Sequence, residues 1–341
     1  MKFEDKLRNT AKAMLASGKG LLAADESSNT IAKRFEAVGL ENTEENRRTY
    51  RQFLLSAPGN EAFLSGVILF DETIRQKNDN GTPLADVLKQ KGIIPGIKVD
   101  AGAKDLALHE GEKVTEGLDG LRERFSEYAK MGAGFAKWRA VITIERDTLP
   151  SSACYSANAD GLARYAALAQ EAGIVPVVEP EVLLDGDHSI ERCYEVTAKT
   201  LDTLFAALTN QDVMMEGVIL KSSMVLPGKD CKDRATVQTV AEQTLKCLKE
   251  HVPANLAGVV FLSGGQTEEE ATTHLDAMNK LGGAPWPLTF SYSRAIQNPV
   301  LKLWAAGEKE KALAAYLHRC QANSLAAQGK WSENFEANHL Y

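Results

Sequence analysis

The chain has 341 residues, of which 44% are hydrophobic and 25% are charged, a composition typical of a globular protein with a large core. A net charge of −7, with lysine and arginine scattered along the chain, argues against a nucleic-acid-binding protein. The absence of long apolar runs argues against a membrane protein, and five separated cysteines without a CxxC pair argue against a disulfide framework. We therefore expect a cytoplasmic protein, or a plastid one if a transit segment has been removed.

Apolar segments of strand length alternate with segments of helical periodicity along the whole chain. After a helix expected near 3–17, eight apolar segments follow in order: 20–25, 65–71, 93–100, 134–142, 174–181, 216–223, 258–265 and 287–294. Between them the apolar spacing is helical, as in the stripe formed by Val237, Val240, Thr244 and Leu248. Long helices are expected near 298–328. The tail at 329–341 contains Gly, Ser and Asn and is expected to be mobile.

Continuous apolar strands that alternate with helices predict a parallel sheet covered by helices. Eight such units fit one closed (β/α)8 barrel, a TIM barrel, as a single domain over residues 1–341. An open, doubly wound sheet is the alternative. However, Asp25 leads into a segment without the GxGxxG turn expected after the first strand of that fold. We therefore predict an α/β barrel with extra helices at both termini.

Nearly every predicted strand ends in a polar or charged residue, although the run before it is apolar. In a closed barrel the C-terminal strand ends meet at one face, where this fold places its catalytic residues. The residues at these ends are Asp25, Asp71, Lys98, Lys137, Arg139, Glu179, Glu181, Lys221, Ser263 and Arg294. Each charge alone also fits a surface residue or a structural ion pair. Together they predict a ring of acids and bases around one pocket.

A lysine within an apolar strand is a candidate nucleophile, because a buried ammonium must be paired or give up its proton. Lys221 is such a residue, and cations at Lys98 and Lys137 would favour its neutral amine, the form that attacks a carbonyl carbon. Glu179 can carry protons during the loss of water and the cleavage of a carbon–carbon bond. The sequence thus predicts covalent carbonyl chemistry at Lys221.

The loops after the seventh and eighth strands indicate the substrate class, because they form the habitual phosphate site of this barrel. They carry Ser263-Gly264-Gly265 and Ser291-Tyr292-Ser293-Arg294. Their backbone N–H groups, hydroxyls and guanidinium suit an anion. An SGG segment by itself equally fits a tight turn, so its position is what favours phosphate.

A metal-dependent enzyme of this type would need clustered histidines. The six histidines have neither HxH nor HxxxH spacing and fall mostly in predicted helices or the tail: His109, His188, His251, His274, His318 and His339. We therefore expect no metal and no other cofactor.

Eight motifs in the same order resemble class I fructose-bisphosphate aldolase, from about residue 5 to Tyr341. They are LAADES (22–27), GIKVD (96–100), GLDGL (117–121), FAKWR (135–139), VVEPE (177–181), ILKSSMVLPG (219–228), FLSGGQ (261–266) and LTFSYSRAIQ (288–297). The resemblance implies a metal-independent lyase that reversibly cleaves fructose 1,6-bisphosphate to dihydroxyacetone phosphate and glyceraldehyde 3-phosphate. It also implies a homotetramer that works in glycolysis, gluconeogenesis or the Calvin cycle.

The resemblance assigns the catalytic roles residue by residue. Lys221 matches the Schiff-base lysine and Glu179 the main general acid/base. Asp25 and Lys137 match its partners in proton transfer. The terminal Tyr341 matches a tail tyrosine that assists proton exchange on the enamine.

The resemblance also assigns the substrate-binding residues. These are Ser263, Gly264, Ser293 and Arg294 for the phosphate next to the ketone, Lys98, Arg139, Ser27 and Arg34 for the other phosphate, and Glu181 as a second active-site carboxylate. The chain departs from the family in a few places, including Ser222-Ser223 where Pro-Asn is frequent, Ser293 where Gly is frequent and Ala101 where Lys is frequent. These departures concern specificity and phosphate affinity more than reaction type.

Two alternative functions remain open at this point. One is a transaldolase-like or single-phosphate Schiff-base aldolase, which the expected phosphate site at each end of the pocket disfavours. The other is a non-catalytic scaffold barrel, which could lose its pocket lysines, whereas Lys98, Lys137 and Lys221 are all present.

Overall fold

The computed structural model describes residues 2–145 and 148–337. Its strands are β1 (Gly20–Ala24), β2 (Leu64–Leu69), β3 (Ile94–Lys98), β4 (Ala103–Asp105), β5 (Lys113–Thr115), β6 (Phe135–Ile142), β7 (Val175–Val182), β8 (Ile219–Ser222), β9 (Gly258–Phe261) and β10 (Leu288–Tyr292). All except β4 and β5 form one closed barrel, in the order β1-β2-β3-β6-β7-β8-β9-β10, with every neighbouring pair parallel. The predicted (β/α)8 class and its eight strands are confirmed.

Helices surround this barrel. They are α1 (Glu4–Met14), α2 (Ser28–Glu36), α3 (Glu44–Ser56), α4 (Asp71–Arg75), α5 (Leu84–Gln90), α6 (Leu121–Met131), α7 (Ser152–Glu171), α8 (Ile190–Asn210), α9 (Val237–His251), α10 (Glu268–Leu281), α11 (Arg294–Ala305), α12 (Lys309–Ala326) and α13 (Glu333–Ala337). Several begin at a Ser or Thr whose hydroxyl accepts a hydrogen bond from the backbone N–H three residues later: Thr43, Ser151, Ser189, Thr236 and Thr267. These caps explain where the helices start in the sequence.

The barrel interior is filled and closed at its N-terminal end. Phe135 lies inside with Leu21, Val177 and Ile219, and α1 covers that end with buried side chains such as Met14. A second, larger core lies between the strands and the surrounding helices. Because one end of the barrel is closed, the open mouth with its polar strand ends is at the C-terminal end.

A short antiparallel hairpin, β4–β5, follows β3 and was not predicted. Its strands have three residues each and pair Ala103 with Thr115 and Asp105 with Lys113. Two hydrogen bonds fix Thr115: its N–H donates to Asn158 Oδ1 of α7 (3.2 Å) and its hydroxyl donates to the Arg139 carbonyl of β6 (2.8 Å). The strands are too short and polar to give a periodic signal, so the sequence did not indicate them.

The described part of the tail contacts the body of the protein. Trp331 is buried, and its N–H donates to Asp276 Oδ1 at 2.9 Å. In α13, Glu336 pairs with Arg319, and Phe335 stacks on His318 with ring centroids 4.8 Å apart. The predictions of a single domain over 1–341 and of a mobile tail stay predictions. None of the described helices combines the length and apolar character needed to cross a membrane.

Glycine at position 96 is required by close packing inside the barrel. A Cβ atom there would lie 2.3 Å from the Phe135 ring, whereas a Cβ at Gly161 in α7 would meet only Trp138, at 4.0 Å. We expect Gly96→Ala to lower the free energy of unfolding by about 1–3 kcal/mol through overpacking. Gly161→Ala should instead be neutral or stabilising by up to about 1 kcal/mol, because alanine favours a helix. Thermal unfolding of the two variants tests this packing, and equal midpoints would contradict it.

Candidate active site

The predicted site residues surround one cavity of about 1020 Å³ at the C-terminal end of the barrel. All of the residues that the family resemblance assigned to the site and that fall within the described residues line it: Asp25, Ser27, Arg34, Lys98, Lys137, Arg139, Glu179, Glu181, Lys221, Ser263, Gly264, Ser293 and Arg294. Neighbouring parallel strands end at this face, so residues far apart in sequence become neighbours. Tyr341 lies outside the described residues, and its role stays a prediction.

Four buried charged side chains form a continuous network at the floor of the cavity. Lys137 Nζ lies 2.7 Å from Asp25 Oδ2 and 3.4 Å from Glu179 Oε2. Lys221 Nζ lies 3.0 Å from Glu179 Oε1. Each of the four is at most 9% exposed. Two ammonium groups and two carboxylates balance in charge, which is what permits their burial.

The network holds Lys137 and Asp25 in their charged forms. Burial alone would lower the pKa of Lys137, but the charges of Asp25 and Glu179 outweigh it and raise that pKa well above its usual range. Burial would raise the pKa of Asp25, but Lys137, Lys221 and Lys98 together lower it to about 2. Lys137 is therefore a permanent cation and Asp25 a permanent anion near neutral pH.

Lys221 differs from the other lysines of the cavity in its partners. Lys137 contacts two carboxylates, whereas Lys221 contacts Glu179 alone. The second oxygen of that carboxylate, Glu179 Oε2, is buried and has only the looser ion pair with Lys137 Nζ, at 3.4 Å, without a well-formed hydrogen bond. A buried carboxylate oxygen without a well-formed hydrogen bond is costly, and active sites are where such groups occur. Glu179 Oε1 lies within hydrogen-bond reach of the Lys221 ammonium, at 3.0 Å.

The turn after β9, where the sequence predicts a phosphate site, is anchored from behind. Gly264 and Gly265 have φ of 57° and 94°, a left-handed conformation that favours glycine. The Ser263 carbonyl accepts hydrogen bonds from the Gln266 backbone N–H (3.0 Å) and side-chain amide (2.9 Å). His274 Nδ1–H donates in turn to Gln266 Oε1 at 2.6 Å. This chain of hydrogen bonds fixes the backbone of the turn, whose Ser263 and Gly264 line the cavity.

Glu26 is a site residue that the sequence did not single out. Its Oε1 accepts from Arg34 Nη1 (2.5 Å), Ser293 Oγ (2.7 Å) and Gln297 Nε2 (2.9 Å), while its Oε2 accepts from Arg51 Nη2 (2.5 Å). Burial would raise the pKa of Glu26, but the two arginines lower it. The one available signal was its place inside the LAADES motif.

This carboxylate also joins residues that the resemblance assigned to different phosphates. Arg34 Nη1 donates to Ser293 Oγ at 3.1 Å, so the two lie side by side. Ser293 has φ −106°, an ordinary value for a side-chain-bearing residue, which explains how serine is accommodated there. Arg294 begins α11 and is exposed at the cavity rim.

Across the cavity, two cations are already paired with carboxylates. Lys98 Nζ donates to Asp100 Oδ1 at 2.5 Å and to the Asp100 carbonyl at 2.7 Å. Arg139 Nε donates to Glu181 Oε2. Asp100, two residues beyond Lys98 and missed from the sequence, also accepts from the Arg139 backbone N–H at 3.2 Å. Both pairs are charge-assisted hydrogen bonds that fix the direction of the cation.

The prediction that Asp71 belongs to the ring is wrong. The chain enters α4 at Asp71, and the carboxylate turns toward α6, where it accepts from Tyr128 Oη at 2.7 Å. It also pairs with Arg75 at 2.9 Å and lines a separate hollow beside α6.

The described residues offer no metal site. No group of three or more His, Cys, Asp or Glu among residues 2–145 and 148–337 is placed to hold an ion.

Comparison with known proteins gives one consistent family. A family model described as class-I fructose-bisphosphate aldolase matches residues 6–340. A protein named probable fructose-bisphosphate aldolase class 1, from Xanthomonas campestris, is 59% identical over 330 residues, which is 96% of this chain and 98% of that relative. A cytosolic fructose-bisphosphate aldolase of Arabidopsis thaliana is 50% identical over 97% of this chain and 93% of its own length.

A solved structure is similar throughout. The fructose-bisphosphate aldolase of Plasmodium falciparum, in complex with TRAP and a small-molecule inhibitor, superposes with a TM-score of 0.96 at 48% identity. The match covers 97% of this chain and 96% of that one.

The anchored turn predicts a pH-dependent stability. Burial lowers the pKa of His274 to about 4, while an unfolded chain has about 6.5. Below pH 6.5 this histidine is therefore protonated in the unfolded chain but still neutral in the folded protein. The free energy of unfolding then falls by up to about 3 kcal/mol between pH 6.5 and 4. His274→Gln keeps an amide donor for Gln266 and removes this titration.

The measurement is urea unfolding of the wild type and His274→Gln between pH 7 and 4, with His109→Gln, on the hairpin loop, as the control. As the pH falls, the wild type should lose free energy of unfolding relative to His274→Gln. A difference independent of pH would contradict the assignment.

Proposed function

Because this chain belongs to the class I fructose-bisphosphate aldolases, we propose that Lys221 is the amine that forms the Schiff base with its substrate. The enzyme is a lyase that cleaves fructose 1,6-bisphosphate through a lysine imine, and its class works without a metal.

One observation carries the assignment: Lys221 is the buried lysine that has a single carboxylate partner, at 3.0 Å. A nucleophilic amine must first lose a proton, and Glu179 lies within reach to accept it. Lys137 is held charged by two carboxylates and cannot be freed as easily. Lys98 is bound by two oxygens of Asp100.

In the proposed sequence, Lys221 passes its proton to Glu179 and attacks the C2 ketone. Glu179, with Lys137 as its neighbour, returns protons as the carbinolamine loses water and becomes a protonated imine. The imine is an electron sink. Removal of the C4 hydroxyl proton by Glu179 then breaks the C3–C4 bond and releases glyceraldehyde 3-phosphate.

The bond electrons form an enamine of dihydroxyacetone phosphate on Lys221. Protonation at C3, in which Tyr341 assists, restores the imine, and hydrolysis frees the second triose phosphate and the lysine.

The charges of the network suit these steps. A permanent ammonium at Lys137 stabilises negative charge that develops on the substrate oxygen, and it costs no reorganisation because it is fixed in place. Asp25, whose pKa is lowered to about 2, stays ionised and holds that ammonium in position. We therefore propose that Lys221 forms the covalent bond, that Glu179 transfers protons, and that Lys137, held by Asp25, provides fixed electrostatic stabilisation.

The two phosphates are proposed to anchor opposite ends of the substrate. The N–H groups of the Ser263-Gly264 turn, with Ser293 and Arg294, hold the phosphate next to the ketone. At the other end, Lys98, Arg139 and Ser27 hold the second phosphate, and Glu181 orients Arg139. Arg34, which the resemblance assigned to that phosphate, donates to Ser293 Oγ at 3.1 Å and is therefore proposed to reach the phosphate next to the ketone instead. Binding energy from two groups that do not react fixes the reacting carbons.

The cellular setting is proposed from the relatives. We place the enzyme in glycolysis and gluconeogenesis in the cytoplasm, as one relative from Arabidopsis thaliana is named cytosolic, with a plastid setting as the alternative because another from Chlamydomonas reinhardtii is named chloroplastic. We also propose a homotetramer, on family resemblance, with sugar phosphates as the only partners. Light scattering of the purified protein would test the tetramer.

Replacing the nucleophile tests the proposal. Lys221→Met should lower kcat for fructose 1,6-bisphosphate cleavage by about four orders of magnitude or more, because no other amine can form the imine. The exposed Lys229, which pairs with Asp185, provides the matched control, and Lys229→Met should retain activity. A chelator should leave the wild-type rate unchanged. Measurable turnover by Lys221→Met above background would refute the assignment.

A further inference from the structure

We propose that Lys104 is a specificity-determining residue that contacts the phosphate of the aldehyde substrate, glyceraldehyde 3-phosphate. This inference rests on the proposed function and adds to it a residue that lies outside the motifs of the sequence.

At the end of the cavity where this phosphate is expected, the two remaining cations, Lys98 and Arg139, are already neutralised, since Arg34 lies beside Ser293. Lys98 lies 2.5 Å from the Asp100 carboxylate, and Arg139 pairs with Glu181. Two cations and two carboxylates leave no net positive charge. A phosphate dianion placed there would meet acids as well as bases, so these pairs supply direction for hydrogen bonds but little net attraction.

The opposite end of the cavity is different. Arg294 is exposed at the rim, and Lys33 of α2 lines the same cavity, with no carboxylate partner among the described residues for either. The phosphate next to the ketone therefore meets uncompensated positive charge. An equivalent charge at the aldehyde end has to come from another side chain.

Lys104 provides it. It is the central residue of β4, is exposed, and lines the catalytic cavity together with Lys98 and Arg139. No hydrogen bond or ion pair within residues 2–145 and 148–337 engages its ammonium. The adjacent Asp105 does not neutralise it, because alternation along the strand turns Asp105 the other way, where it pairs with Lys113.

The hairpin that carries Lys104 is fixed to the strand that carries Arg139. The Thr115 hydroxyl donates to the Arg139 carbonyl at 2.8 Å, and the Ala101 N–H donates to the Glu116 carbonyl at 2.8 Å. The segment between Lys98 and Lys104 contains Ala101, Gly102 and Ala103, all of which line the cavity. Small side chains there leave the path from the Lys104 ammonium to a bound phosphate open.

The test uses the condensation direction, in which both substrates are triose phosphates of the same charge. Lys104→Met should raise the KM for glyceraldehyde 3-phosphate about three- to tenfold and change the KM for dihydroxyacetone phosphate less than twofold. Lys104→Arg should restore most of the affinity, and Lys104→Gln should repeat the loss. Lys113→Met, on the neighbouring strand, should change neither KM and serves as the control.

Three outcomes would overturn the inference: equal rises in both KM values, which indicate long-range attraction only, no change in either, or a rise for dihydroxyacetone phosphate alone. Failure of the proposed function would look different. In that case the wild-type enzyme would form no borohydride-trapped adduct with dihydroxyacetone phosphate, whereas a fault in the Lys104 inference leaves that adduct intact in wild type and in Lys104→Met.

Discussion

The structure depends on the pairing of two buried ammonium groups with two buried carboxylates at one end of a closed barrel. Each charge would be too costly to bury alone, so Lys137, Lys221, Asp25 and Glu179 stabilise one another. The pairing is uneven, however, since Lys137 has two carboxylate partners and Lys221 has one. In the proposed mechanism, that asymmetry separates the lysine that stays charged from the one that passes its proton to a neighbour.

The rest of the fold holds this network in place. The N-terminal end of the barrel is closed by α1, so the cavity opens only at the C-terminal strand ends, and the network lies at its floor. Around the rim, a second set of buried polar contacts fixes the groups proposed to bind phosphate: His274 acts through Gln266 behind the Ser263 turn, and Arg51 through Glu26 behind Ser293. Pre-organised donors of this kind lose little entropy when a phosphate binds.

The sequence predicted what depends on local pattern. Apolar runs located the eight strands, and polar residues at their ends located Lys137, Glu179 and Lys221, because a barrel brings its strand ends together whatever their spacing along the chain. Glu26 was missed because its partners Arg51 and Gln297 are 25 and 271 residues away, and no periodicity connects them. Asp71 was placed wrongly because the chain turns into a helix at that residue. The hairpin strands were too short to be recognised.

The most direct test of the central claim is to trap the covalent intermediate on the unmodified enzyme. The protein is incubated with dihydroxyacetone phosphate and borohydride, digested, and the modified peptide is identified by mass spectrometry. The account predicts a reduced triose phosphate adduct on Lys221, with Lys98 and Lys137 unmodified. An adduct on Lys137 or Lys98, or no adduct in an enzyme that still cleaves fructose 1,6-bisphosphate, would contradict it.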